Sequence, residues 1–310
     1  MTRRQEYFCA LAIFLVNFLV SFTIWTYSTP NHYPTPSSLF SLETAVAQTA
    51  PPAQASQAEA APVIAQAPLS IAPVQPATPT TVDQTIAVPI LMYHKINPYS
   101  SGGLYRITPD EFDWQMQYLH DNGYHTISID AVLDYFQQGQ KLPEKPIVIT
   151  LDDGYRDNYL YAFPILQKYG FTATLFVITN TVAPANVDNN MLTWDQIREM
   201  ANSGITIGCH TLDHEHLTRV DLAEAQRQIA DSKNVLEQEL GKKIEIFSYP
   251  YGEHNQSVEK LVQESGFRAA TTVNPEPVTN ADDPFALNRI GIYSNLDHQG
   301  FIDKVNRYYT

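Results

Sequence analysis

The chain has 310 residues, with 19 Lys and Arg against 33 Asp and Glu, a formal charge of −14 and a pI ≈ 4.9. That balance excludes nucleic acid and other anionic polymers as natural partners, because like charges repel. Two cysteines, Cys9 and Cys209, exclude a disulfide framework, so a hydrophobic core must hold whatever folds.

At the start, Arg3 and Arg4 precede an apolar run over 7–27 that only Asn17 and a few hydroxyl side chains interrupt. At about 1.5 Å per helical residue the run can span a hydrocarbon core of about 30 Å, with the basic pair on the cytoplasmic side. Residues 1–27 are therefore expected to form an N-terminal membrane anchor or signal segment. Ala45-Val46-Ala47 offers a small-residue cleavage site, but its distance from the apolar run favours an uncleaved anchor. The stretch 28–85 is rich in Ala, Pro and Gln, has no Lys or Arg and shows no period able to bury a face, as expected of a disordered linker. The folded domain, 86–310, is then expected in the cell envelope, outside the cytoplasmic membrane, tethered or secreted.

From Ile86 onward short apolar runs alternate with amphipathic stretches, the pattern of an α/β fold. Strands are predicted over 88–93, 125–129, 147–151, 173–178, 205–209, 244–249 and 269–273; about seven parallel strands suggest a barrel. Thr108 and Glu111 bracket Pro109 as a capping box at a helix start, and Asp221 opens a helix that runs toward Gly241.

Four strands end in chemistry-bearing groups: Tyr93-His94, Asp152-Asp153-Gly154, His210 through His214, and Tyr249-Pro250-Tyr251-Gly252. The C-terminal ends of parallel strands share one rim, so these segments should converge on one pocket. His210 and His214 with one carboxylate make a two-His, one-carboxylate set, suited to zinc or another divalent first-row ion. Asp152 and Asp153 would repel each other in one pocket unless a cation neutralises one, which divides them into a base and a ligand.

Thr150-Leu151-Asp152-Asp153-Gly154, His210-Thr211-Leu212-Asp213-His214 and Phe247-Ser248-Tyr249-Pro250-Tyr251-Gly252 resemble, in order and spacing, three motifs of the polysaccharide deacetylase family, also called the NodB-homology family or carbohydrate esterase family 4. The resemblance implies a distorted (β/α) barrel and metal-assisted removal of acetyl groups, usually the N-acetyl of N-acetylglucosamine polymers. It implies Asp152 as general base, Asp153, His210 and His214 as metal ligands, and Tyr251 as donor of a backbone N–H to the oxyanion. Two departures stand out. Ser248 occupies the place of a common Arg that orients the base, and the late Leu-x-His that commonly supplies the acid is not evident. The opening Leu91-Met92-Tyr93-His94 resembles instead the branch acting on poly-β-1,6-N-acetylglucosamine, which points to His94 as the acid, with His298 and His254 as fallbacks.

Among the remaining candidates, His216 is expected beside the ligands or at the surface, and His120 and His125 are expected to be structural. Trp194 and Tyr155 are candidate sugar-stacking rings. An O-acetyl esterase and a catalytically silent glycan-binding protein are the rival readings. An N-acetylated glycan is the expected partner, and no protein partner is indicated.

Overall fold

The computed structural model describes residues 86–99, 103–185 and 189–309, all within the compact unit Val74–Thr310. The expected anchor over 1–27 and linker over 28–85 lie outside the described residues. Among the described residues no helix is long and apolar enough to cross a membrane.

In chain order the elements are β1 (Ile90–Tyr93), β2 (Lys95–Ile96), β3 (Arg106–Ile107), α1 (Pro109–Asp121), β4 (His125–Thr126), α2 (Ile129–Gln138) and β5 (Pro146–Leu151). They continue with α3 (Phe163–Lys168), β6 (Thr174–Val177), α4 (Trp194–Asn202), β7 (Thr206–Cys209), α5 (Leu222–Leu240) and β8 (Ile246–Ser248). Last come α6 (Gln256–Glu264), β9 (Ala269–Thr271), β10 (Ile290–Gly291) and α7 (His298–Asn306). Seven strands pair in the order β10-β1-β5-β6-β7-β8-β9, every pair parallel, and β4 adds to the start of β5. The sheet curls into a half-barrel flanked by helices, the distorted (β/α) barrel expected of the sequence.

Strand alternation sorts the core into two clusters. Leu91, Tyr93, Ile149, Leu151, Leu175, Val177, Ile207, Cys209 and Phe247 pack in one buried cluster with residues of the flanking helices, such as Phe112, Met116, Ile197 and Ile229. Their sheet neighbours Ile90, Val148, Phe176, Ile246 and Ala269 belong to the other, inside the curl, where Ile129, Val132 and Leu133 of α2 close the floor. At about 1.5–3 kcal/mol per fully buried aliphatic side chain, these clusters are the main source of stability in a domain whose described cysteine, Cys209, is free.

Three local expectations need correction. The strand predicted over 125–129 stops at Thr126, because the Ser128 hydroxyl accepts from Ala131 N–H (3.1 Å) and caps α2. Thr108 does cap α1, accepting from Glu111 N–H (3.2 Å), but Glu111 does not reach back; its carboxylate takes Gln115 (3.0 Å) and His298 (3.0 Å) instead. The sequence reading also missed β10 and the β2–β3 pair, each only two residues per strand. The helix opened by Asp221 is α5, and it ends at Gly241 in the left-handed conformation.

Candidate active site

Parallel ladders carry the site residues just past the strand ends. Asp152 N–H donates to the Tyr93 carbonyl (2.9 Å), His210 N–H to Val177 (3.0 Å) and Tyr249 N–H to Thr271 (3.1 Å), so each ladder gains one more rung before the chain turns away. The turns are tight. Of the six non-glycine residues with positive φ among those described, Asp153 (77°), Thr211 (68°), His214 (62°) and Tyr251 (61°) lie here. Such backbone costs about 1–3 kcal/mol per residue and persists only where the surroundings impose it. Around His210–His214 they do: the Thr211 hydroxyl accepts from His214 N–H (2.9 Å), while Gln228 of α5 accepts from Leu212 N–H (3.1 Å) and Asp213 N–H (2.9 Å).

His94, Asp152, Asp153, His210, His214 and Tyr251 all line one pocket of ≈ 340 Å³. Within it Asp153 Oδ1 stands 3.5 Å from His210 Nε2 and 3.6 Å from His214 Nε2, and the two Nε2 atoms are 3.1 Å apart. Donors about 2.1 Å from one tetrahedral ion lie about 3.4 Å from each other, so this trio fits a small divalent cation. Two further observations support the fit. Asp153 Oδ1 is buried without a hydrogen-bond partner. His210 donates through Nδ1 to the Ser248 carbonyl (2.8 Å), which turns Nε2 toward the gap it shares with Asp153 and His214.

The electrostatics of Asp153 and His214 agree. Burial would raise the Asp153 carboxyl, but His210 above all holds it well below the usual range and therefore ionised. Burial and the charge of His210 push His214 down to about 4, so it is a neutral donor at physiological pH. His210 moves up: burial opposes its charged form, and Asp153 and Asp152 outweigh that.

The sequence reading found no cation to orient Asp152; the structure supplies Arg289. Its Nη1 donates to Asp152 Oδ1 (2.7 Å) and its Nη2 to Oδ2 (2.8 Å), with further bonds to Thr150 Oγ1 (3.1 Å), Ser248 Oγ (3.0 Å) and the Thr272 carbonyl (2.8 Å). Burial raises the Asp152 carboxyl, yet the guanidinium brings it below its ordinary value. Ser248 thus remains part of the pair, as a hydroxyl that receives the arginine rather than as its replacement.

His94 lies beside the exposed ring of Tyr105 (centroids 4.7 Å apart), and its carbonyl accepts from the Asn158 side chain (2.8 Å). Burial lowers its pKa against the pull of Asp152 and Asp153. Tyr155 lines the pocket with Lys95 over its ring (4.6 Å), and Tyr293 faces Tyr105 edge-on (5.5 Å). Outside the lining, His298 stacks on Trp114 (3.5 Å), His254 on Tyr249 (5.1 Å), and Trp194 packs on the outer core. His120 and His125 also lie off the pocket, the first paired with Asp121 and the second bonded to the Glu144 carbonyl.

The polysaccharide deacetylase family profile matches residues 139–270, a span that holds Asp152, Asp153, His210, His214 and Tyr251 but neither His94 nor Arg289. YxkH of Bacillus subtilis, named for polysaccharide deacetylases, is 36% identical over 214 residues, covering 69% of this chain and 74% of that protein. The poly-beta-1,6-N-acetyl-D-glucosamine N-deacetylase of Staphylococcus epidermidis is 29% identical over 196 residues, 60% of this chain and 68% of that protein. Among solved structures, the Streptococcus pyogenes deacetylase PplD in complex with acetate superposes with a TM-score of 0.67 at 29% identity, covering 71% of this chain and 99% of that one. With a relative this similar over this much of its length, and with the family's three motifs gathered at one strand rim, the chain belongs to the polysaccharide deacetylase family, a family of hydrolases.

Proposed function

We propose that the domain hydrolyses the acetamido group of N-acetylglucosamine units in a glycan, releasing acetate and a free amine. The observation that carries this reading is the juxtaposition, in one pocket, of a donor trio, Asp153, His210 and His214, with a separately held carboxylate, Asp152. Asp153, His210 and His214 would hold a divalent ion, zinc by default for this donor set, and such an ion when bound supplies Lewis acidity to the acetyl oxygen and acidifies water.

The chain's own residues do the rest. Asp152, kept ionised by Arg289, takes the proton of the attacking water; the two bonds from Arg289 leave each carboxylate oxygen a further lone pair. Tyr251, at the pocket wall in a left-handed turn, offers its backbone N–H to the oxyanion. His94 hands a proton to the departing amine nitrogen, which cannot leave as an anion. The ion pair at Asp152 argues against a catalytically silent binding protein, since it keeps a base ready for use.

Support for the substrate class comes from the relative named for poly-beta-1,6-N-acetyl-D-glucosamine and from the Leu91-Met92-Tyr93-His94 opening. The apolar run over 7–27 supports a membrane tether, with the domain in the envelope. Full-length protein expressed in bacteria should sediment with membranes and be shaved from intact spheroplasts by protease.

The decisive assay is acetate release by zinc-loaded protein from β-1,6 and β-1,4 N-acetylglucosamine oligomers, with Asp152→Asn as the control. Release from either oligomer, lost in the variant, supports amide deacetylation. Release only from O-acetylated glycans would make the protein an esterase.

A further inference from the structure

We infer that His216 and Glu253 are positioning residues that hold Tyr251, and with it the oxyanion-facing backbone, in its left-handed conformation; this rests on the role proposed above for Tyr251. Tyr251 has φ 61° and ψ 5°, a strained backbone for a bulky residue. Tyr251 is 51% exposed, so core burial does not hold it in place. What does touch the ring is imidazole. His216 stacks on it nearly in parallel, centroids 3.8 Å apart and planes 10° from one another, and His214 meets it edge-on at 4.6 Å.

His216 is in turn fixed. Its Nδ1 donates to Glu253 Oε2 (3.0 Å), and the same carboxylate accepts from Arg219 (2.6 Å) and the Thr218 hydroxyl (3.3 Å). Glu253 lies two residues after Tyr251, so the carboxylate ties the far end of the turn to the segment following the histidine ligands. Chain, carboxylate, imidazole and phenol therefore close a loop around one backbone N–H. A rival support exists. Gly252 presses so close to Val273 that an added Cβ would lie 2.5 Å from Val273 Cγ2, and that contact could fix the backbone alone.

A double-mutant cycle on the full chain separates the two. His216→Ala and Tyr251→Ala, alone and together, are compared for kcat, KM, zinc affinity by chelator competition, and Tm. Tyr251→Ala removes the ring and keeps the N–H. If the ring is the lever, each single change lowers kcat about tenfold to hundredfold, the scale of a partly misplaced donor. KM and zinc affinity should stay within about threefold, the double variant should match either single one, and His216→Phe should restore most of kcat. Additive losses, an unchanged kcat in His216→Ala, or a loss confined to Tm would overturn the inference and leave the deacetylase reading standing. A wild-type protein that releases no acetate from any acetylated glycan would overturn that reading and this inference together.

Discussion

Arg289 and Asp152 meet head to head, two nitrogens on two oxygens at 2.7 and 2.8 Å, with both side chains almost wholly buried. Removing one partner of such a pair strands the other charge, at a cost of about 3–5 kcal/mol. Arg289→Met should therefore lower stability steeply, as read by urea unfolding, and Arg289→Lys less so, because an ammonium can replace the charge but not the fork. In whichever variant folds, Asp152 loses the group that depresses its pKa, so the acid limb of the kcat/KM profile should move up by about 1–3 pH units. An unshifted limb would mean that Asp152 is not the group whose ionisation activity follows. The wild-type pair has its own pH window. A carboxyl depressed in the folded state contributes stability above its unfolded value, about 3.9 for Asp, and loses it as pH falls through the lower folded value.

Asp152→Asn should retain zinc, because Asp152 is outside the donor trio, and should lose about 10²- to 10⁴-fold in kcat with little change in KM. The matching zinc titration is essential. Loss of metal along with activity would move Asp152 into the coordinating set.

Asp153→Ala should do the reverse of Asp152→Asn, abolishing zinc uptake. Adding zinc to the stripped wild type at 100 times its dissociation constant should stabilise by about 2.7 kcal/mol through mass action, seen as a higher Tm. The Asp153→Ala protein should show no such rise. A metal-induced shift that survives the substitution would place the ion elsewhere.

His94→Ala should slow amide cleavage much more than ester cleavage, by about 10²-fold or more against less than tenfold, since an alcohol leaves with little help and an amine does not. Equal losses on both substrates would assign His94 to substrate placement rather than proton delivery.

Gly208 lies beneath the Phe176 ring, which an added Cβ would meet at 2.5 Å, and Phe176 in turn lies under the Arg289 guanidinium at 5.4 Å. Gly208→Ala should cost about 1–3 kcal/mol in overpacking and, by driving the ring toward Arg289, also lower kcat. Stability lost with kcat intact would show that Arg289 does not feel the floor beneath it.

Reading the sequence located the rim because parallel strands put their C-terminal ends together, and the groups to look for followed apolar runs: Asp152 after 147–151, His210 after 205–209. Arg289 escaped that logic. It precedes β10 rather than following it; β10 pairs Ile290 with Leu91, so Arg289 starts level with Ile90 and reaches up the inside of the curl to Asp152. A two-residue strand leaves no periodic trace, and an arginine next to Asn288 and Ile290 reads as surface until the sheet is assembled. The one available signal was a deficit, an aspartate without its usual cation. Glu111 escaped for a related reason, since Gln115 and His298, the latter 187 positions away, compete for it with the helix start.

The floor built by Ile129, Val132 and Leu133 against Ile90, Val148 and Phe176 has a bearing on traffic. A half-barrel floored in this way opens at the strand rim that carries the site. Glycan and water come in through the doorway bordered by Tyr105, Tyr251 and Val273, and acetate goes out through it. A glycan lying across that threshold would hinder the smaller product behind it, so acetate is expected to leave after the polymer.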